Sequence, residues 1–176
     1  MGIEKDIHQD TFVSIHQKAM INVLFSYGWI MERIKNFLAH EDITPQQFNI
    51  LRILSRSLPE PLSTMRIRER MIDKMSDTSR IVDRLVAKEL VRKEVSAKDR
   101  RLVDVTITPK GVALLKVLEK VLDQMDEMMS NLTDEEARLL SNLLDKLRCP
   151  PSCPETPALG AEGAQPADAP ISAGNF

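Results

Sequence analysis

Apolar residues from Phe12 through Ala19, Val23, Tyr27, Ile30, Ile34 and Leu38 fall three or four apart. That is the spacing of one helix face, and it predicts a single long first helix. Thr44-Pro45-Gln46-Gln47 is a start signal, with a hydroxyl cap, a proline in the first turn and a glutamine at the reciprocal position. The helix it opens runs to about Ser57, before Pro59 and Pro61, and Ser63 caps a short helix to Met71. Ile81, Val82 and Leu85, with Leu90 and Val91 beyond, again recur at helical spacing and face a core. The period then changes from helix to strand. Val103, Val105 and Ile107 alternate with Asp104, Thr106 and Thr108, as in a half-buried strand. Val91 to Val95 is its expected partner, which leaves Ser96 to Arg100 as a hairpin tip. Thr108-Pro109 starts another helix, with Leu115, Leu118, Leu122, Met125 and Met129 along one side. Thr133-Asp134-Glu135-Glu136 is a second capping box and opens a last helix through Leu140, Leu144 and Leu147. The expected order is three helices, a fourth with a polar face, a hairpin, and two helices.

The polar face of the fourth helix and the hairpin tip carry the candidate chemistry. Ser76, Asp77, Ser79, Arg80, Asp83 and Arg84 lie opposite the apolar positions, and Arg80 and Arg84 are one turn apart. Short hydroxyl side chains near a helix N-terminus can donate to phosphates or base edges, and the first amides add partial positive charge. Hairpin tips usually favour Gly and Asn, yet this one concentrates Lys98, Arg100 and Arg101 around Asp99. An acid among three bases cancels charge unless it organises them, for instance by holding a guanidinium through paired hydrogen bonds. A helix sized for a major groove, followed by a ribbon tipped with guanidinium groups, suits the reading of a DNA duplex.

Charge changes the picture locally rather than globally. The whole chain is formally −2, so nothing overall attracts nucleic acid. Residues 60 to 110, however, hold 13 Lys/Arg against 9 Asp/Glu, a net of +4, while residues 111 to 148 hold 5 against 8, a net of −3. The positive charge is concentrated where the helix and hairpin sit, as an electrostatic footprint for a polyanion requires.

The run SDTSRIVDRLVAKELVRKEVSAKDRRLVDVTITPKG over residues 76 to 111 resembles the winged helix-turn-helix of the MarR family of bacterial transcriptional regulators. The resemblance extends over roughly residues 10 to 148. It implies a mainly α fold with a small β-hairpin wing, flanked by long N- and C-terminal dimerisation helices. It also implies that Asp99 and Arg101 match an Asp-x-Arg that anchors the wing and sends an arginine into the minor groove, with Arg100 a second candidate. The candidate DNA contacts are therefore Lys74, Ser76, Asp77, Ser79, Arg80, Arg84, Lys98, Asp99, Arg100 and Arg101. The family's usual effector site lies between the dimerisation helices and the DNA-binding lobe and takes small aromatic or anionic ligands. Tyr27, Met31, Phe48 and Met125 are the candidate lining residues here, with Trp29 and His40 beside them, although core packing explains most of them equally well.

Two departures from the family pattern stand out. Where relatives commonly have glycine after the recognition helix, this chain has Lys88-Glu89-Leu90. A left-handed residue there costs about 1 kcal/mol or more relative to glycine, so the helix is expected to end differently. The preceding turn, Ile72-Asp73-Lys74-Met75, lacks the usual small residues, and either Asp73 or Ser76 caps the helix.

The rest of the chain bounds the function. His8, His16 and His40 are scattered with no Asp or Cys spacing suited to a metal or a triad, and no Gly-rich phosphate loop is present. We expect no enzyme, no metal and no cofactor. Cys149 and Cys153, in Cys-Pro-Pro-Ser-Cys, are too few for a zinc site and have no base or helix N-terminus nearby to activate a thiolate. Pro154 to Phe176, rich in Pro, Ala and Gly, is expected to be a disordered tail. No run of eighteen apolar residues spans a membrane and Met1 to Asp6 lacks a signal peptide's apolar stretch, so the expected compartment is the cytoplasm.

The expected organisation is one domain over residues 1–148, with a winged-helix core at about 44–110, and a tail over 149–176. The first and the last two helices carry more apolar surface than one small winged domain buries, which a two-fold homodimer would absorb. Its two recognition helices, about 34 Å apart, would meet successive major grooves of a palindromic operator. The expected partners are double-stranded DNA, a second copy of the chain and a small-molecule effector, and the expected role is that of a repressor. The alternative is a winged-helix module for protein-protein assembly, with the hairpin as a docking edge.

Overall fold

Thr44 and Gln47 cap one another's backbone, and the helix they open is the scaffold of the first unit. The Thr44 hydroxyl accepts from the Gln47 amide at 3.2 Å while Gln47 Oε1 accepts from the Thr44 amide at 3.0 Å. This box is why Gln47 is buried without an unmet polar group. A computed structural model describes residues 2–96 and 102–149, apart from the side chains of residues 119–122. The chain divides into two units, Met1–Met125 and Asp126–Phe176.

In the first unit a short helix α1 (Ile3–Asp6) precedes α2 (Ile15–Ala39), α3 (Pro45–Ser55), strand β1 (Leu62–Ser63), α4 (Thr64–Arg70), α5 (Thr78–Ala87), β2 (Val91–Val95), β3 (Val103–Ile107) and α6 (Pro109–Val117). Helix α7 (Glu119–Glu127) crosses the boundary between the units, and the second unit contains α8 (Asp134–Arg148). Helix α3 packs on α2, α4, α5, α6 and β3. It supplies Phe48, Ile50, Leu51, Ile53 and Leu54 to a core completed by Leu38, Ile67, Met71, Val82, Leu85 and Val105. On α5 the expected Val82 and Leu85 are buried, whereas of the apolar face expected on α2 only Ile34 and Leu38 are buried and Val23 and Tyr27 are exposed.

The sheet holds three antiparallel strands in the order β1-β3-β2. The hairpin register pairs Val91 with Ile107, Lys93 with Val105 and Val95 with Val103, as the alternation predicts. The Ser96 amide donates to the Leu102 carbonyl at 3.0 Å and closes the pair just before the tip. Strand β1 was not anticipated; it pairs Leu62 with Val105 and Ser63 with Asp104, so β3 is the central strand.

Three further expectations need correction. The helix after the wing does not run unbroken, because the backbone leaves α geometry at Leu118 and divides it into α6 and α7. Neither glycine nor proline marks that break. Helix α5 is capped by neither Asp73 nor Ser76 but by Asp77, whose carboxylate accepts from the Arg80 amide at 3.2 Å. The helix also ends on the residue that seemed least suited to it. Glu89 takes φ 61°, with its amide donating to Val86 O at 2.8 Å and the Leu90 amide to Leu85 O at 3.0 Å. These two bonds form a Schellman motif, and the flanking Leu85 and Leu90 are both buried. Packing and satisfied carbonyls outweigh a local penalty of about 1–2 kcal/mol. Lys110 Nζ pairs with Glu89 at 2.8 Å and holds its carboxyl below the usual range.

Gly111 shows how tightly α6 sits on the base of the wing. A Cβ there would lie 2.3 Å from the Leu90 carbonyl and 2.7 Å from Ile107 Cγ1, so only glycine permits this approach. In the second unit, Thr133 and Glu136 form the expected capping box of α8. Leu139, Leu140, Leu143 and Leu147 of that helix are exposed. Cys149, expected as a thiol, is disulfide-bonded. Cys153, the chain's other cysteine, and the expected tail from Pro154 lie outside the described residues.

Candidate nucleic-acid interface

The turn between α4 and α5 is built from its own side chains and from α3. Asp73 accepts from the Ser76 hydroxyl at 2.6 Å and from the Met75 amide at 3.0 Å. Asn49 Oδ1 of α3 accepts from the Ile72 amide at 3.0 Å. At the far end, the buried Thr78 hydroxyl donates to Met71 Sδ at 3.3 Å, fastening the first residue of α5 to the core. The Ser76 hydroxyl, Met75 amide and Gln46 side chain together hold the Asp73 carboxyl below its ordinary range. The turn therefore has one arrangement and fixes where α5 begins.

From that start, α5 presents the face expected of it. Val82 and Leu85 are buried, while Asp77, Ser79, Arg80, Asp83 and Arg84 are exposed. Arg80 Nε lies 3.1 Å from Asp77 Oδ2, an exposed pair that orients the guanidinium at the helix entry. Arg84 is exposed on the same face, one turn beyond Arg80. Lys74 lies in the preceding turn, exposed, with its ammonium donating to the Glu69 carbonyl. Ser76, a candidate contact, is half-buried and its hydroxyl is already given to Asp73. Ten residues long, α5 measures about 15 Å, enough to lie across a major groove roughly 12 Å wide.

Strand β2 flanks this helix with Arg92 and Lys93 exposed along the wing's edge. Lys93 reaches back to Asp83 of α5, tying strand and helix together by charge. This link and the organising roles of Asp73 and Asn49 were not singled out in the sequence. The Asp73-x-x-Ser76 spacing is a local signal that could have shown the turn, whereas Asn49 lies 23 residues from its partner and could not. Lys98, Asp99, Arg100 and Arg101, the expected wing-tip contacts, lie outside the described residues.

The candidate effector residues are dispersed. Phe48 is buried in the core with the Arg52 guanidinium 5.7 Å from its ring centre. Tyr27 is exposed on α2, and Met31 and Met125 are half-buried. A shallow, mostly apolar cleft of about 370 Å³ is lined by Leu58, Ile107, Thr108, Pro109, Val112, Ala113 and Lys116, and by none of these four.

A short helix, a pinned turn, a second helix with an open polar face and a three-stranded wing define a winged helix-turn-helix of the DNA-binding kind. Residues 41–102 match the model of the MarR family. The chain is 27% identical over 131 residues to the HTH-type transcriptional regulator MhqR of Bacillus subtilis (strain 168), covering 74% of this chain and 89% of MhqR. The crystal structure of a MarR transcription factor from Planctomyces limnophilus is 29% identical, with a TM-score of 0.60 over 77% of this chain and 99% of that one. The structure of an S. aureus MepR–DNA complex, 22% identical, shares the fold with a TM-score of 0.65 over 73% of this chain and 94% of that one. Residues 41–102 thus carry a MarR-type winged helix-turn-helix, and the matches together support a MarR-family DNA-binding transcriptional regulator, a kind of protein that is not an enzyme.

Proposed function

We propose that this regulator is a repressor that binds a palindromic operator as a homodimer, with α5 in the major groove and the wing over the adjacent minor groove. The observation that carries the reading is the open face of α5. Ser79, Arg80 and Arg84 stand exposed on a helix whose start is fastened by Asp73, Asn49 and Thr78. Preorganised donors lose little freedom on binding, which favours a specific complex over loose electrostatic adhesion. Lys74, exposed in the turn before α5, adds a basic group to this face, and Lys98, Arg100 and Arg101, with Asp99 as their anchor, are the proposed wing-tip contacts.

The homodimer is supported by apolar surface that a single chain leaves exposed. On α2 this comprises Ile15, Met20, Leu24, Phe25 and Tyr27. Among the described residues no helix is long and apolar enough to cross a membrane. The protein acts in the cytoplasm, where its operator is. A small-molecule effector near Tyr27, Met31 and Met125 would weaken DNA binding by resetting the spacing of the two recognition helices. Phe48 would support that site from the core. The domain runs over residues 1–148, with the segment after it dispensable for binding.

The test is to select bound duplexes from fragmented genomic DNA with the full chain, and then to measure affinity against salt. The expected result is a palindromic sequence whose half-site centres are about 10 base pairs, or a multiple, apart, with log affinity falling linearly in log salt. Recovery of no preferred sequence, together with salt-insensitive capture of another protein by the hairpin edge, would favour an assembly module instead.

A further inference from the structure

Two large apolar side chains stand in the turn before α5 at exposures that leave almost nothing covered. Ile72 is 84% and Met75 is 92% exposed. A lone exposed apolar residue is ordinary on a protein surface. These two differ in standing on a backbone that is pinned at both positions. The Ile72 amide is bound to Asn49 Oδ1 at 3.0 Å and the Met75 amide to Asp73 Oδ1 at 3.0 Å. The residues on either side are anchored in the core, Met71 at 1% and Thr78 at 4% exposure. The turn thus spends hydrogen bonds on a backbone whose outward side chains make no use of them within the chain.

Their place narrows what they serve. Met75 is two residues before the cap of α5 and Ile72 five before it, on the side from which the helix would enter a groove. Lys74 lies between them, and Arg80 of the first turn is exposed beyond. A purely electrostatic contact with phosphate would be served by more lysine or by small polar residues, not by isoleucine and methionine. In the major groove, thymine alone presents a methyl group among the four bases, and apolar side chains distinguish it. Resting on the reading of α5 as the groove helix, we propose that Ile72 and Met75 are specificity-determining residues that pack on thymine 5-methyl groups at the edge of each half-site. Methionine's unbranched thioether suits this, because it can follow a methyl over a range of positions. Asp73 and Asn49 are then positioning residues for an apolar contact as well as for the helix start.

The test uses duplexes selected by the full chain from a random-sequence library, with each thymine of one half-site replaced in turn by uracil, which lacks the methyl. For the parent, uracil at the contacted thymines should weaken binding about fourfold each, the effect of one buried methyl. Met75→Ala and Ile72→Ala, both at exposed positions that the fold tolerates, should bind the thymine duplex about four- to tenfold more weakly. Each should also become indifferent to the uracil replacement that its side chain normally detects. That loss of discrimination separates a methyl contact from a general effect of uracil on duplex shape. If the parent tolerates every uracil, or if its penalties persist unchanged in both variants, the proposal is overturned. A fall in self-association of the free variants with thymine discrimination intact would overturn it too, in favour of a protein contact. Arg84→Ala and a salt titration are measured alongside. If neither alters duplex binding, it is the groove-helix reading that fails; if both do and uracil does not matter, only the methyl contact is lost.

Discussion

Asp73 accepts the Ser76 hydroxyl and the Met75 amide, and these bonds favour its ionised form. With its folded value below the ordinary 3.8, its contribution is complete above that ordinary value and is lost only as pH falls through the lower folded one. Operator affinity should therefore show no Asp73-dependent change between pH 5 and 8. Asp73→Asn, whose amide accepts through a single oxygen, should bind several-fold more weakly, by the same factor at both pH values. Fluorescence anisotropy across that range decides it; a pH response of the parent that vanishes in Asp73→Asn would contradict the assignment. At the wing, Arg101→Ala should weaken binding by about 1–3 kcal/mol if the guanidinium enters a narrowed A·T minor groove. Asp99→Ala should do nearly as much harm, although it removes a charge that repels phosphate. Tighter binding by the Asp99 variant would refute the anchoring role.

The elements are held at their ends, and Thr108 illustrates the economy of this. Its hydroxyl accepts from the Gly111 amide at 3.1 Å, capping α6, and donates to the Glu89 carbonyl at 2.8 Å, closing off the end of α5. Thr108→Val keeps the shape and removes both bonds, so the fold should lose about 1–2 kcal/mol, read as a lowered thermal midpoint. A variant as stable as the parent would show that the two helices do not depend on this junction. End signals of this kind are short-range, which explains which elements the sequence makes visible. The Thr44 and Thr133 boxes and the Ser63 cap are read within four residues, and all three form. Strand β1 is two residues long and has no period to detect; its pairing with β3 arises from tertiary proximity. The start of α5 offered acids and hydroxyls at positions 73, 76 and 77, and the choice of Asp77 depends on Asn49 and Met71, which anchor the turn from outside it. Glu89 is a case of packing overriding local preference, as the buried Leu90 requires the tight left-handed exit. The exposed polar face of α5 was legible because helical period alone determines it. Which of its side chains are already engaged, as Ser76 is, was not.

In the proposed homodimer, assembly rests on the apolar surface of the terminal helices. Leu24 and Phe25 on α2, and separately Leu143 and Leu147 on α8, are exposed in the single chain although they would be core residues anywhere else. Because they are exposed, a charge placed there should not harm the fold of an isolated chain. Buried in an interface without a partner, the same charge would cost several kcal/mol. Leu24→Glu and Leu143→Glu should therefore sediment as monomers with unchanged far-ultraviolet circular dichroism. Each should lose high-affinity operator binding while retaining weak binding to a single half-site. Counterion release supplies a second reading of the same change, since a monomer neutralises half as many phosphates and its slope of log affinity against log salt should fall by about half. A Leu24→Glu chain that stays dimeric, with the parent's slope, would remove α2 from the interface, and the same result with Leu143→Glu would remove α8. If both variants remain dimers with full affinity, the two-fold arrangement of recognition helices must be built from some other surface of the chain.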